Sequence, residues 1–259
     1  MSDAPGARID VTFVAGGMYH DVDYARREVL TLLGEHDEFR VRVQPDYEDT
    51  EPIVAGSILV SYTCNLRPSE AAQQTIRDWV AAGGRWVALH GTNSALDIGT
   101  PNGVDAPRVF PLWADTLGSQ FVAHPPIMPY RVERTTDDHW LVEGIEPFET
   151  DDELYCCEYA DRASLEPLLH TNWSGDARGF VEHDWTDTSG EYGDQHLVMY
   201  LRQLGEGAVL YNTLGHCRGH YDMVPVVDYY PKIERGSWEH PAYYELLRRS
   251  LRWARGQSS

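Results

Sequence analysis

The 259-residue sequence predicts an α/β fold: a mainly parallel β-sheet with helices on both faces, carrying a β-rich elaboration in its second half. Three observations point there. From Arg8 to Leu89, short strand patterns alternate with amphipathic helix patterns, an order that calls for right-handed crossovers. The first strand ends and the third runs apolar on both faces, as strands buried between two helical layers do. Beyond it, helical periodicity gives way to short strand patterns set among Pro, Asp and aromatic residues.

Ile9, Val11 and Phe13 alternate within Arg8 to Ala15, and Val14 and Ala15 make the end of this strand apolar on both faces. Gly16-Gly17 turns the chain into a helical pattern from Asp21 to Leu33, with Val22, Ala25, Val29 and Leu33 on one stripe and Gly34 as the stop. Phe39 to Val43 is the second strand and Ile58 to Tyr62, behind Gly56, the third. Ser69 caps a helix that directs Ala72, Ile76, Trp79 and Val80 inward and ends at Gly83-Gly84. Trp86 to Leu89 is the fourth strand. Pro129 to Arg134 and Leu168 to Trp173 read as short strands, and His196 to Gln203 with Ala208 to Asn212 as an antiparallel hairpin around Leu204-Gly205-Glu206-Gly207. A last helix, Pro241 to Arg255, presents Tyr244, Leu247, Leu251 and Trp253 or Ala254. Ala106 to Phe121 and Asp222 to Trp238 follow no pattern. With no repeat, linker or low-complexity tract, one domain over residues 1–259 is expected.

Composition narrows the partners. Hydrophobic residues at 42% and charged residues at 24% suit a packed core. Acidic residues number 41 against 21 basic ones, and a net charge of −20 repels phosphate backbones and anionic membranes. Nucleic acid and membrane are therefore not expected partners. The start, Met1 to Asp10, is small and polar, and no apolar run reaches membrane length, which gives a cytoplasmic expectation. Cys64, Cys156, Cys157 and Cys217 lack metal-finger spacing and read as reduced thiols. No Walker loop or dinucleotide fingerprint is present, so no nucleotide is expected.

In an open parallel sheet, ligands bind beyond the carboxyl ends of the strands. Here those exits carry Gly16-Gly17-Met18-Tyr19-His20-Asp21, Tyr62-Thr63-Cys64-Asn65 and His90-Gly91-Thr92-Asn93-Ser94. Groups suited to proton transfer, metal binding or hydrogen bonding at all of them mark a site. His90 ends an apolar strand before a glycine that permits the sharp strand-to-helix turn on which nucleophiles stand in other α/β enzymes. An imidazole there can serve as base, metal ligand or hydrogen-bond donor, or merely cap the following helix.

His216 and His220 are four residues apart, but the glycines beside them argue for a loop, and no Glu intervenes as in zinc proteases. His216 follows a strand closely enough to share a pocket with His90, whereas His220 suits the surface equally well. In Asp151-Asp152-Glu153-Leu154-Tyr155, Glu153 and Tyr155 lie on one side of an extended segment, a carboxylate and a phenol for orienting an imidazole, binding a metal or acting as acid. In so acidic a chain the same run also suits a solvated loop. His124 sits in a loop held extended by Pro125. Cys64 has no base beside it.

The series Gly83-Gly84-Arg85-Trp86-Val87-Ala88-Leu89-His90, His124-Pro125, Asp152-Glu153-Leu154-Tyr155, Gly207-Ala208-Val209-Leu210-Tyr211 with Leu214-Gly215-His216, and Leu251-Arg252-Trp253-Ala254 resembles the ThuA-like (trehalose-utilisation) family over nearly the whole chain. The resemblance implies a flavodoxin-like sheet sandwiched by helices, of the class I glutamine amidotransferase-like kind. It places His90 at or beside the elbow where amidotransferases carry a cysteine. With no cysteine there, amidotransferase activity should be absent. It further implies carbohydrate catabolism, trehalose and oxidised (3-keto) sugars included, a divalent metal in some members, and a pocket built from His90, Glu153, Tyr155 and His216, with His20 and His124 beside them.

The resulting expectation is an enzyme acting on a sugar or oxidised sugar, as isomerase, lyase or hydrolase. His90, Glu153, Tyr155 and His216 are its catalytic groups, and His20, Asn93 and His124 contact the substrate. His90, Glu153 and His216 are the ligands of a divalent metal, zinc foremost. A non-catalytic sugar-binding or regulatory protein that keeps the crevice is the rival, and a thiol-dependent hydrolase through Cys64 a third reading. An aromatic-rich surface also allows a homo-oligomer.

Overall fold

The structure, a computed structural model, describes residues 8–101, 103–175, 177–181 and 194–257. Most of the polar N-terminal stretch, up to residue 7, lies outside the described residues. The first part of the chain runs β1 (Ile9–Gly17), α1 (Val22–Leu33), β2 (Phe39–Gln44), α2 (Glu51–Ala55), β3 (Ile58–Cys64), α3 (Glu70–Ala81) and β4 (Arg85–Leu89). Then come β5 (Asp97–Thr100), β6 (Gly103–Asp105), α4 (Pro111–Leu117), β7 (Ser119–Ala123), β8 (Tyr130–Arg134), β9 (Phe148–Thr150), β10 (Cys156–Tyr159), β11 (Leu165–Asn172), β12 (Gln195–Leu204), β13 (Gly207–Asn212) and α5 (Pro241–Ala254).

Nine strands form one sheet in the order β2-β1-β3-β4-β13-β12-β11-β8-β9. The pairings from β2 to β13 are parallel, and those from β13 through β12, β11 and β8 to β9 are antiparallel. The β-rich elaboration thus extends the parallel sheet from its β13 edge. The expected β12–β13 hairpin is present and turns at Gly205-Glu206.

Strand alternation divides the core. Phe13, Val60, Val87 and Leu210 face α1 and α5, against Ala25, Val29, Leu246 and Leu251. Their neighbours Val14, Leu59, Trp86 and Val209 face the other way, onto Ile53, Ile76, Val80 and Trp113 of α2, α3 and α4. Alternate residues of these central strands therefore enter one or the other apolar layer, and every side chain of β3 is buried.

Three inward assignments differ, the first being Val22 at the start of α1, which is only partly buried. Trp79 is only partly buried, because its indole N–H reaches sideways to the Gly56 carbonyl, 3.1 Å away. In α5 the fully buried place belongs to Tyr243, while Tyr244 reaches across to Glu28 of α1 at 2.8 Å. Among the described residues, no helix is long and apolar enough to cross a membrane.

Candidate functional site

The ends of β1, β3, β4 and β13 lie level, with Gly17 beside Cys64, Tyr62 beside Leu89 and Leu89 beside Asn212. Whatever follows these strands is therefore gathered over one edge of the sheet. His90 follows Leu89 directly, and its backbone is left-handed at φ 47°. The residue after it must be glycine: a Cβ on Gly91 would lie 2.6 Å from the Thr63 carbonyl oxygen. The Tyr211 hydroxyl donates to the His90 carbonyl and fixes the turn. Beyond β1 the chain doubles back through Tyr19, also left-handed at φ 69°, and brings the His20 ring to 4.6 Å from that of His90. His216 follows β13, and Glu153 comes from the segment before β10.

His20, His90, Glu153 and His216 are all buried, and each offers one ligand atom within 4.8 Å of every other. The Nε2 atoms of His20 and His90 are 2.8 Å apart. Glu153 Oε2 lies 3.6 Å from His20 Nε2 and 3.5 Å from His90 Nε2. Its other oxygen, Oε1, lies 3.1 Å from His216 Nδ1, 3.2 Å from Arg218 and 3.7 Å from His124 Nε2. The Tyr155 hydroxyl is 3.3 Å from His90 Nε2.

The second nitrogen of each ring fixes its tautomer. His90 Nδ1–H donates to the Thr213 carbonyl at 2.8 Å, and His20 Nδ1–H to the Met18 carbonyl at 3.3 Å. His216 Nε2–H donates to Glu234 at 2.9 Å. The nitrogens left over, His20 Nε2, His90 Nε2 and His216 Nδ1, all turn inward beside a carboxylate. Although Glu153 is close to His216 Nδ1, it lies outside hydrogen-bond geometry, and this buried nitrogen has no hydrogen-bond partner.

Burial holds the His20 imidazole down at about 3, so it is neutral. Burial would lower His216 too, but the facing Glu153 charge and the hydrogen bond to Glu234 raise it to about 9. Burial would raise Glu153, yet His216 and His124 hold its carboxyl well below the usual range. Burial and the Glu153 charge push the Tyr155 phenol well above its ordinary value, so it stays protonated.

Several supporting residues carry no local sequence signal. Glu234 arrives through a two-stranded bridge in which Arg218 N–H donates to Glu234 O at 2.9 Å and Glu234 N–H to Arg218 O at 2.8 Å. Arg218 joins the two acids, 3.2 Å from Glu153 and 3.0 Å from Glu234. The buried Asp152 carboxylate accepts four backbone N–H bonds, from Glu153 and Ser237 at 2.8 Å, Gly215 at 2.9 Å and His216 at 3.0 Å. It knots together the three segments that deliver Glu153, His216 and the end of the Glu234 loop.

The structure thus gathers His20, His90, Glu153, Tyr155 and His216, with His124 at the rim. Asn93 is not among them: its amide donates to Ser119 at 2.8 Å, tying the elbow to β7. His220 lies in the surface loop, stacked on Tyr229. Cys64 is buried, and burial and the Glu153 charge push its thiol up, away from nucleophilic thiolate.

A cavity of about 250 Å3 opens onto His20, Glu153 and Tyr155, walled by Phe121, Phe180 and Leu96.

A family model described as ThuA, trehalose utilisation, matches residues 10–229. The chain belongs to the ThuA family. That membership carries a role in carbohydrate utilisation. No curated protein sequence matches the chain. A ThuA-like protein from Bacteroides uniformis superposes at a TM-score of 0.66 with 14% identity, over 100% of this chain and 96% of the other. A second, from Parabacteroides merdae, gives 0.62 and 14%, over 97% and 92%. A β-galactosidase from Rahnella sp. R3 gives 0.54 and 13%, over 95% of this chain but 31% of that much longer one. At such identities these likenesses establish a ThuA-like, flavodoxin-like fold alone.

Proposed function

We propose that this ThuA-family chain is a metal-assisted enzyme of carbohydrate utilisation that moves protons on a sugar or oxidised sugar. The observation that carries this reading is the inward turn of three imidazole nitrogens onto one carboxylate, His216 giving up its inward proton when a cation binds. Two imidazole nitrogens facing each other 2.8 Å apart repel unless a proton or a cation lies between them. His20, held at about 3, is a poor home for that proton. A divalent cation resolves the conflict, and His20, His90, Glu153 and His216 would hold it. Three nitrogens and one carboxylate oxygen in a buried site match zinc best. When bound, such an ion supplies Lewis acidity that polarises a sugar carbonyl or hydroxyl.

The chain's own residues supply the rest. Tyr155, kept protonated, is placed to donate a hydrogen bond or proton to an oxygen at the cluster. His124 Nδ1–H donates to the Pro125 carbonyl at 2.7 Å, which turns Nε2 to the rim of the cluster, 3.7 Å from Glu153, placed to exchange a proton with a substrate. Phe121 and Phe180 offer an apolar wall to a sugar face. Four free thiols agree with a cytoplasmic setting.

The test measures metal content and turnover of a 3-keto sugar together. His90→Ala should lose both, whereas His124→Ala should keep the metal and lose about 10²–10³-fold in turnover. Full activity in His90→Ala would overturn the reading. Tight sugar binding by the wild type without any product would favour the non-catalytic binder.

A further inference from the structure

The 259 residues contain a single lysine, Lys232, against 20 arginines. It lines a second cavity of about 540 Å3 that shares His124 and Arg218 with the smaller one over the candidate metal site. The two cavities differ in chemistry. The smaller has aromatic and aliphatic walls. The larger sets Asp151, Lys232, Glu234, Arg235 and Glu239 beside Ile127 and Ile233.

Many of these charges are already committed. Arg218 is held by Glu153 and Glu234, and Arg235 by Asp21 at 3.1 Å. Lys232, Asp151 and Glu239 are exposed and make no hydrogen bond or ion pair with any described residue. The compartment therefore offers one free ammonium donor and two free carboxylate acceptors. An anionic group would meet two carboxylates for each ammonium, and an apolar group would strip water from all three. A neutral group bearing several hydroxyls satisfies donor and acceptors alike.

Resting on the reading of the metal-lined cavity as a sugar site, we propose that the larger cavity is a subsite for a neutral, polyhydroxylated part of the substrate beyond the reacting ring. Lys232 is its specificity-determining donor. A substrate that fills both compartments passes His124 and Arg218, the residues common to the two.

Calorimetric titration of the zinc-loaded protein with trehalose, glucose and glucose 6-phosphate tests this. Trehalose should bind about tenfold more tightly than glucose, the gain from one added charged hydrogen bond. Lys232→Met should remove that advantage and leave zinc content and glucose affinity unchanged, and Lys232→Arg should restore part of it. Acetylation should reproduce the loss in the wild type and have no effect on Lys232→Met. Equal binding of trehalose and glucose, an unaltered Lys232→Met, or preference for glucose 6-phosphate would overturn the subsite while leaving the sugar site standing. If no sugar binds the zinc-loaded wild type, both readings fall.

Discussion

His90 pays for its position with a left-handed backbone, a conformation that costs a non-glycine residue about 1 kcal/mol. The surroundings hold it there, through Tyr211 on its carbonyl, Thr213 on its ring and a glycine after it. Asp152 does for the rest of the site what these do for His90. Removing its carboxylate would leave four backbone N–H groups buried and unpaired, so Asp152→Ala is expected to cost about 3–5 kcal/mol. Chemical denaturation reads that loss, and metal retention should fall with it. Unchanged stability would show that the knot is dispensable. His90, Glu153 and His216 were legible because each stands beside a strand or an extended run. His20 was legible only as a loop histidine. Its approach to His90 depends on the reversal at Tyr19, which no spacing announces. Glu234 and Arg218 meet the site through a bridge between loop ends, a tertiary event with no local pattern.

Among the elements, α1 positions the site most directly. Asp21 caps it, accepting from Tyr24 N–H at 3.0 Å, while its own N–H donates to the Cys217 carbonyl at 2.9 Å. The helix start is thereby fastened to the segment that carries His216, with His20 one residue before the cap. Asp21→Ala should cost about 1 kcal/mol in thermal or chemical unfolding and weaken metal retention. A stability loss with metal binding unchanged would separate the helix from the site. The Ser69 cap of α3 was readable, whereas Asp21 was read only as the start of α1; α1, α3, α5 and most strands of the parallel half were readable from their amphipathic stripes and alternation. The α4 helix was not: seven residues behind Phe110-Pro111 are too few to show a stripe. Nor was the β7–β10 ladder, whose register shifts between Cys156 and Cys157 and so breaks the two-residue period.

For the whole molecule, parallel strands joined by helices were readable because each crossover repeats one pattern. That the later strands extend the same sheet was not, since edge-to-edge pairing is decided by long-range contacts. A pH dependence belongs to this scale. Burial lowers His36, His170 and His196 below the ordinary imidazole value of 6.5. Below 6.5 the unfolded chain binds protons that the folded chain refuses, so stability is lost as pH falls from there toward the depressed folded values. The Tm should drop between pH 7 and pH 5.5, and replacing the three residues by Asn should lessen the drop, leaving the part that His20 contributes. A Tm that rises over that interval would contradict the assignment.

X-ray absorption at the zinc edge of protein loaded with one equivalent tests the central claim most directly. Three imidazole nitrogens and carboxylate oxygen at about 2.0–2.2 Å are expected, with nitrogen lost in His20→Ala and in His216→Ala. A protein that takes up no stoichiometric metal, or a zinc shell left intact in both variants, would contradict it.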